Sequence, residues 1–439
     1  MDNYSISSDE ESTSEFDTLG YPGKFIDKRY LLIKKIGSGA FSVVWLTYDI
    51  NHDNFVVAKI QNTEDYETAM DEVGILNKIN KLNTKYLTGI LDFFEHEFDS
   101  GIGVVLIFEL MVGSLGDIME KDKRFENGFP IEVIKRTAYN ITKSIDILNK
   151  KLDMTHTDLK PENILVEGVS RNIKEIINKF RSFKFKEKLK KNKMNRKHSN
   201  YEEYTIKKLI THMGHYMEDI NDSSDTDDSS DSSDNSSDDS SDDSDNDVEF
   251  IDEKLLNTIN VKLGDFGNCK KNIINEEIQT RYYRAPEVIL EAEPYNYKSD
   301  IWSLGCTLYE LATGDILFDP QKYRGITRDR DHIYLIVKHF GPIDSKLLEK
   351  SNKYHVFYTK KGLLKRRDKI EYFPIKENLI KKLGSKSKWG SEDISQFTEF
   401  IALCLTVNPD KRVEPEELLQ HPFVNKKLSH KTFGKQLIA

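Results

Sequence analysis

One short stretch of the sequence is His156-Thr157-Asp158-Leu159-Lys160-Pro161-Glu162-Asn163, which runs directly into the apolar residues Ile164-Leu165-Val166. It places a carboxylate, an ammonium group and an amide on one short loop. Asp158 can accept a hydroxyl proton, Lys160 can neutralise a transferring phosphoryl group, and Asn163 can hold a metal ion. The stretch therefore predicts phosphoryl-transfer chemistry.

Further motifs flank this loop in a fixed order. Upstream, the glycine-rich stretch Gly37 to Val44 lets the backbone approach nucleotide phosphates closely. A strand carrying Lys59 and a helical pattern carrying Glu72 follow, and these two side chains can form an ion pair. Downstream, Asp265-Phe266-Gly267 supplies a second candidate metal ligand. Alone, the glycines would more often be a hairpin turn and the lysine a solvated side chain, but the order of all five motifs favours one phosphoryl-transfer domain.

In order and spacing these motifs resemble those of eukaryotic protein kinases, whose catalytic loop reads His-Arg-Asp where this chain has Thr157 in place of the Arg. The resemblance implies an α+β bilobal fold, with a small β-rich lobe and a large, mostly α lobe. It implies ATP and Mg²⁺ as cofactors and transfer of the γ-phosphoryl group to a Ser or Thr hydroxyl of a protein substrate. It also implies a pair between Glu287 and Arg412, and a helix beginning near Asp300 that supports the catalytic loop. Without that Arg, we expect activity that needs no activation-loop phosphate.

The resemblance assigns roles residue by residue. The catalytic group is Asp158, Lys160, Lys59, Glu72 and Thr280, with Thr280 bracing Asp158 and Lys160. The nucleotide-binding group is Gly37, Ser38, Gly39, Ala40, Phe41, Ser42, Val44, Ala58, Lys59, Glu109 and Met111. The metal ligands are Asn163 and Asp265.

Finer features resemble the SR-protein kinases, a branch of the CMGC group. They are Thr157, Ser42, Thr68 to Glu72, Gly267-Asn268, Glu276 to Arg281, Leu311 to Phe318 and Thr327 to Ile333. That likeness implies Arg-Ser-rich protein substrates held in an acidic docking groove. Asp331 matches one acid of the groove, but Lys338 stands where the family has Glu. Two alternatives stay open: another CMGC kinase with other substrates, and a non-catalytic pseudokinase scaffold, although pseudokinases usually lose residues matching Lys59, Asp158 or Asp265.

Chain length and spacing predict the domain organisation. The 439 residues can form two lobes plus extra segments. Asn163 and Asp265 lie 102 positions apart, far more than a short strand connection needs. We predict an acidic disordered tail (1–23), a kinase N-lobe (24–111), the first part of a C-lobe (112–166), a charged low-complexity insert (167–257) and the second part of the C-lobe (258–430).

The insert has two halves of opposite charge. Residues 171–198 contain 12 Lys or Arg against 2 Glu, and residues 221–247 contain 12 Asp and no Glu, Lys or Arg. Such runs are most often solvated and disordered. The alternatives are that the two halves neutralise each other, that the basic half covers an acidic substrate groove, or that it is a nuclear-localisation signal. We expect that a short linker could replace residues 168–257.

The remaining composition predicts the setting. Cys269, Cys306 and Cys404 lie far apart, which favours a reducing compartment over a disulfide framework. The N-terminus lacks the basic and apolar regions of a secretory signal, and the longest apolar stretch falls short of a membrane helix. We therefore expect a soluble intracellular monomer that is cytoplasmic and can also be nuclear. We expect it to act on protein substrates and to bind neither membranes nor nucleic acid directly.

Overall fold

The computed structural model describes residues 20–39, 41–98, 100–194, 250–274, 276–323, 325–365, 370–386 and 389–425. These residues form two compact units. The first contains residues up to 77, 89–110 and 173–194; the second contains 78–88, 111–172 and 250–425. The first unit is built on a β-sheet and the second is mostly helical, which confirms the predicted α+β kinase fold.

The first unit is organised by a six-stranded antiparallel sheet in the order β1-β2-β3-β4-β6-β5. Apolar side chains such as Val43, Trp45 and Val56 point into one core because alternate residues of a strand share a face. The strands are β1 (Phe25–Ile26), β2 (Tyr30–Gly39), β3 (Ser42–Asp49), β4 (Asn54–Gln61), β5 (Asp92–Phe98) and β6 (Gly101–Glu109).

A three-stranded antiparallel sheet in the order β7-β8-β9 lies in the second unit, formed by β7 (Met111–Ser114), β8 (Ile164–Glu167) and β9 (Val261–Leu263). Ile164 pairs with Leu263. This register places the end of the catalytic loop beside the start of the Asp265 motif, and the Gly264 N–H donates to the Asn163 carbonyl at 2.9 Å. Two segments separated by the whole insert therefore meet through strand pairing.

The helices follow the apolar periodicity of the sequence. They are α1 (Tyr66–Leu82), α2 (Leu115–Lys121), α3 (Ile131–Ile147), α4 (Arg171–Ser182), α5 (Phe185–Met194), α6 (Glu253–Thr258), α7 (Pro286–Ile289), α8 (Lys298–Thr313), α9 (Arg328–Phe340), α10 (Ser345–Glu349), α11 (Tyr354–Phe357), α12 (Ile375–Lys386), α13 (Ser391–Cys404) and α14 (Pro415–Gln420). Nearly all of α8 is buried, so it forms the centre of the second unit. Among the described residues no helix is long and apolar enough to cross a membrane.

The first part of the insert is folded. Helices α4 and α5 bury Ile176, Phe180 and Phe185 against the sheet residues of the first unit, in a cluster that includes Tyr48. The ring centroids of Tyr48 and Phe180 lie 4.9 Å apart, and those of Phe55 and Phe180 lie 5.5 Å apart. The high charge of this segment predicts that it is exposed to solvent. However, Ile176 and Phe180 are four residues apart and therefore share one helix face, which can be buried. The expectation of a solvated basic half does not hold for these two helices.

The last part of the insert is fastened within the second unit. The Phe250 N–H donates to Asp122 at 3.1 Å, and Arg124 donates to the Ile251 carbonyl at 2.5 Å. Asp252 caps α6 by accepting a hydrogen bond from the Leu255 N–H at 2.7 Å. Residues 1–19 and 195–249, which include most of the predicted tail and the acidic half of the insert, lie outside the described residues. The predicted tail ends too late, because the Gly23 N–H donates to the Leu32 carbonyl of β2 at 2.7 Å.

This packing revises the expected effect of removing the insert. Deleting residues 168–257 would expose the apolar surface that Ile176, Phe180 and Phe185 cover, whereas deleting residues 201–247 would leave it intact. We expect the longer deletion to lower the free energy of unfolding by about 5 kcal/mol, at roughly 1.5–3 kcal/mol per buried side chain. The shorter deletion should unfold like the full chain. Urea unfolding of the three proteins checks this, and equal stability of both deletions would contradict it.

Candidate active site

One buried carboxylate fixes the backbone at the start of the catalytic loop. Asp300, at the start of α8, is fully buried and accepts hydrogen bonds from the N–H of His156 at 2.7 Å and of Thr157 at 3.0 Å. Burial raises the pKa of Asp300 to about 6, while the nearby His156 and the two hydrogen bonds oppose this rise. Thr157 adopts a left-handed backbone conformation with φ of 70°. The predicted supporting helix is confirmed, and it fixes the backbone just before Asp158.

Three side chains of the second unit form a closed set of polar contacts. Asp158 Oδ1 accepts hydrogen bonds from the Thr280 hydroxyl at 2.7 Å and from the Thr280 N–H at 3.1 Å. Lys160 Nζ lies 2.8 Å from Asp158 Oδ2 and donates to Thr280 Oγ1 at 3.1 Å. Burial raises the pKa of Asp158, but the hydrogen bonds from Lys160 and Thr280 outweigh it and leave the pKa below its usual value. The carboxylate is therefore ionised at neutral pH and held in one orientation.

The two predicted metal ligands lie on neighbouring segments. Asn163 Nδ2 donates to the Asp158 carbonyl at 2.7 Å, so its amide oxygen is the atom that can coordinate a cation. Asp265 follows Gly264, whose N–H bonds the Asn163 carbonyl, and has a left-handed φ of 60°. The described residues contain no cluster of three or more His, Cys, Asp or Glu that could hold a metal. An amide and a carboxylate fit Mg²⁺, which is usually bound by one or two carboxylates together with substrate phosphates and water.

The first unit holds the predicted lysine–glutamate pair. Lys59 Nζ lies 3.0 Å from both carboxylate oxygens of Glu72, a residue on α1 that is only 2% exposed. Gln61 Nε2 donates to the same carboxylate at 2.8 Å. Gln61 was missed by the sequence analysis. The alternation of β4 does place it on the face of Lys59, two residues away, and this periodicity is the signal that could have found it.

The glycine-rich stretch is the turn between β2 and β3, where Gly37 pairs with Val44, Ser38 with Val43 and Gly39 with Ser42. Phe41 is 63% exposed at its tip, and Ala40 lies outside the described residues. A Cβ atom added to Gly39 would meet no described atom within 4 Å. The protein itself therefore leaves room for a side chain at position 39. Packing does not require the glycine, so its small size suits a loop whose backbone must approach a ligand closely.

The other predicted nucleotide contacts are divided between the units. In the first unit, Ala58 is buried on β4 and Glu109 ends β6. Met111 begins β7 in the second unit. Glu109 and Met111 thus bracket Leu110, one of the residues at which the chain passes from the first unit to the second.

The activation segment is held by contacts that need no added phosphate. The Thr157 hydroxyl donates to the Asn268 carbonyl at 2.7 Å. Arg281 pairs with Asp329, and Arg284 pairs with Glu277 at 2.5 Å. These pairs occupy the guanidinium groups of the segment with carboxylates of the chain itself.

Gln279 contributes the buried part of this support and was missed by the sequence analysis. Its amide donates to the Ser299 carbonyl at 2.9 Å and to the Ser303 hydroxyl at 2.8 Å. Its side-chain oxygen accepts a hydrogen bond from the Ala285 N–H at 2.9 Å. The side chain therefore ties the activation segment to α8.

The predicted structural pair between Glu287 and Arg412 is confirmed. Arg412 donates to both carboxylate oxygens of Glu287, at 2.7 Å and 2.9 Å, and its guanidinium is fully buried. It also donates to the Thr406 carbonyl at 2.8 Å. Such a bidentate geometry fixes the end of the activation segment in the helical core.

The residue expected to line a docking groove is largely enclosed. Asp331 on α9 is 3% exposed, and its Oδ2 accepts a hydrogen bond from the Gln321 N–H at 2.9 Å. Lys338 lies in the last turn of the same helix and is half-buried. One carboxylate oxygen of Asp331 is thus engaged inside the protein, so its pull on a basic peptide is weaker than that of an exposed acid.

Comparison with known proteins agrees with this geometry. The family model described as "Protein kinase domain" matches residues 30–215 and 250–424. Three relatives cover most of the chain. Serine/threonine-protein kinase L205 of Acanthamoeba polyphaga mimivirus is 32% identical, over 95% of this chain and 91% of that protein. Protein kinase dsk1 of Schizosaccharomyces pombe is 25% identical over 95% and 86%, and serine/threonine-protein kinase SRPK of Physarum polycephalum is 27% identical over 95% and 92%.

The chain therefore belongs to the protein kinase family. Within that family it is a serine/threonine kinase of the SRPK type, because relatives of that type match it over nearly its whole length. Members of this family use ATP, typically with Mg²⁺, and act on proteins.

The contacts of Thr280 predict that its hydroxyl group is needed for catalysis. Thr280→Val removes the hydroxyl that bridges Asp158 and Lys160 and should lower kcat by about tenfold or more, since one hydrogen bond to a charged group contributes about 1.5–3 kcal/mol. Thr280→Ser keeps the hydroxyl and should retain most of the activity. Steady-state kinetics with both variants measure this; equal loss in the two would show that the hydroxyl is not what matters.

Proposed function

We propose that this chain is a catalytically active kinase in which Asp158 receives the proton of the acceptor hydroxyl group. The observation that carries the proposal is the closed set of contacts among Asp158, Lys160 and Thr280. These contacts keep the Asp158 carboxylate ionised and fix its orientation. A candidate general base must be both correctly placed and correctly protonated, and Asp158 meets the second condition through its lowered pKa.

Lys160 carries the second role. Its ammonium lies beside the Asp158 carboxylate, so a phosphoryl group arriving at the hydroxyl that Asp158 orients would meet a positive charge. Thr280 keeps the two side chains in register through its hydroxyl. In this assignment the chain supplies position and charge, which are the main protein contributions to phosphoryl transfer.

Mg²⁺ and ATP complete the assignment as cofactors. Asn163 and Asp265 would hold the cation through oxygen donors, and a bound Mg²⁺ supplies charge neutralisation on the phosphates. Lys59 would contact the phosphates while Glu72 fixes its direction, and Gln61 fixes Glu72 in turn. Backbone groups of Gly37 to Val44 and of Glu109 and Met111 would contact the nucleotide.

The proposal includes activity without phosphorylation of the activation segment. Thr157 replaces the Arg that usually holds such a phosphate, and its hydroxyl instead binds the Asn268 carbonyl. The ion pairs of Arg281 and Arg284 with Asp329 and Glu277 support the same segment. These contacts favour an active arrangement in the unmodified chain.

Asp158→Asn should abolish phosphoryl transfer, with a loss of about 10²-fold or more in kcat, while ATP affinity stays near the wild-type value. The carboxylate acts on the acceptor, so its loss should spare nucleotide binding. Asp153→Asn is the matched control: Asp153 lies on an exposed turn nearby with φ of 54°, a conformation that Asn tolerates. Kinase assays and fluorescent-nucleotide titration measure both quantities. Near-normal turnover of Asp158→Asn would remove the role from Asp158.

For the substrate we propose Ser residues in Arg-Ser-rich proteins. The SRPK-type relatives and Asp331 support a basic docking peptide, whereas Lys338 on the same helix opposes it. Repulsion by a partly exposed charge costs about 1 kcal/mol or less, so it weakens docking without reversing it. We further propose a soluble monomer, cytoplasmic and nuclear, that binds neither membrane nor nucleic acid directly.

Lys338→Glu should strengthen binding of an Arg-Ser peptide severalfold at low salt, and moderate salt should reduce the gain because exposed charges are screened. The matched control is Lys376→Glu, the same charge change at an exposed residue of α12. Peptide titration at two ionic strengths measures the effect. Unchanged affinity, or a preference for Ser-Pro or acidic peptides, would remove the Arg-Ser assignment and favour another CMGC specificity.

The remaining alternative is a non-catalytic scaffold. Lys59, Asp158 and Asp265 are all present, and Lys59 forms the ion pair that an active kinase needs. Absence of ATP-dependent phosphorylation of every acceptor peptide by the wild-type protein would favour the scaffold.

A further inference from the structure

Helices α4 and α5 combine buried apolar side chains with exposed charged ones. The apolar face, with Ile176, Phe180 and Phe185, is buried against the sheet. Lys186 adds an ion pair with Asp53 at 3.4 Å. The two helices are therefore fixed to the first unit, and their exposed side chains start from a fixed backbone.

The exposed side chains of this segment are strongly basic. Between residues 172 and 190 the exposed cations outnumber the exposed acids by six to two. The cations, which we name the basic platform, are Lys174, Lys179, Arg181, Lys184, Lys188 and Lys190, and the acids are Glu175 and Glu187. Arg181 and Lys188 lie over the rings of Phe55 and Phe183, which holds them in place. Among the described residues, no ion pair involves Lys179, Lys184 or Lys190.

The chain carries a segment of matching chemistry. Residues 221–247, the Ser/Asp tract, contain 12 Asp and no cation. The 26 residues between Met194 and the tract can span up to about 90 Å, several times the roughly 15 Å length of α5. Chain length therefore does not limit contact between the two.

We propose that the basic platform is a docking surface for the Ser/Asp tract of the same chain. Single exposed ion pairs are weak, but many carboxylates facing six cations add up, and the short connection raises the effective concentration of the tract to the order of millimolar. An acidic polypeptide from another protein would have to compete at that concentration. This interaction does not depend on the catalytic roles proposed above.

The first experiment measures the reactivity of lysine amines in the full chain. Trace acylation followed by peptide mass spectrometry is compared between the wild type and a variant in which the 12 Asp residues of the tract are changed to Asn. Loss of docking should raise the acylation of Lys179, Lys184 and Lys190 by about threefold, as expected when the effective concentration is about twice the Kd. Lys360, Lys361 and Lys376 are exposed lysines of the second unit and serve as internal controls; their acylation should not change.

The converse experiment changes the platform and follows the tract. In a Lys179→Glu, Lys184→Glu, Lys190→Glu variant, an acid-specific protease should cut within residues 221–247 faster than in the wild type. A Lys360→Glu, Lys361→Glu, Lys376→Glu variant carries the same charge change and should be cut at the wild-type rate. High salt should raise wild-type cleavage to the rate of the first variant.

Three outcomes would overturn the proposal. The first is unchanged lysine acylation and unchanged cleavage in the paired variants. The second is protection of the three lysines that disappears on dilution, which would make a second copy the occupant. The third is protection conferred only by an added RNA oligonucleotide, which would make nucleic acid the occupant.

Discussion

The arrangement of the active site depends on the Asp300 carboxylate. Burying a carboxylate is costly, and two backbone N–H groups, those of His156 and Thr157, offset the cost. The same two hydrogen bonds fix the backbone that carries Asp158. Because α8 is enclosed on nearly every side, Asp300 cannot shift without disturbing the core of the second unit. The position of the catalytic loop is thus fixed by the packing of helix α8.

Strand pairing explains how the site tolerates a long interruption. Ile164 and Leu263 are neighbours in the sheet although about a hundred residues separate them in the chain. The entropy of closing a loop grows only slowly with its length, so the insert adds little cost at this point. Its beginning and end are also tied down, by Phe180 on the first unit and by Ile251 on the second. Contacts among the described residues on both sides of the insert therefore suffice to bring the two halves of the catalytic site together.

Much of the site could be predicted from the sequence because its chemistry depends on a few spaced residues. Lys59 with Glu72, and Glu287 with Arg412, pair as their motifs indicate. Gln279 could not be assigned in this way, since its role is to bond main-chain atoms that only the folded chain brings near. The folding of α4 was missed for another reason: the charge of the segment concealed the spacing of Ile176 and Phe180, whose partner surface lies more than a hundred residues earlier.

Thr157 has a consequence for how such an enzyme is controlled. Its hydroxyl binds the Asn268 carbonyl where an Arg would otherwise hold a removable phosphate. In an enzyme that is active in this unmodified form, a phosphatase finds no group at this loop whose removal would switch the enzyme off. The cell would then have to adjust output through synthesis, degradation or placement of the protein. Synthesis and degradation act over the lifetime of the molecule rather than within a signalling pulse.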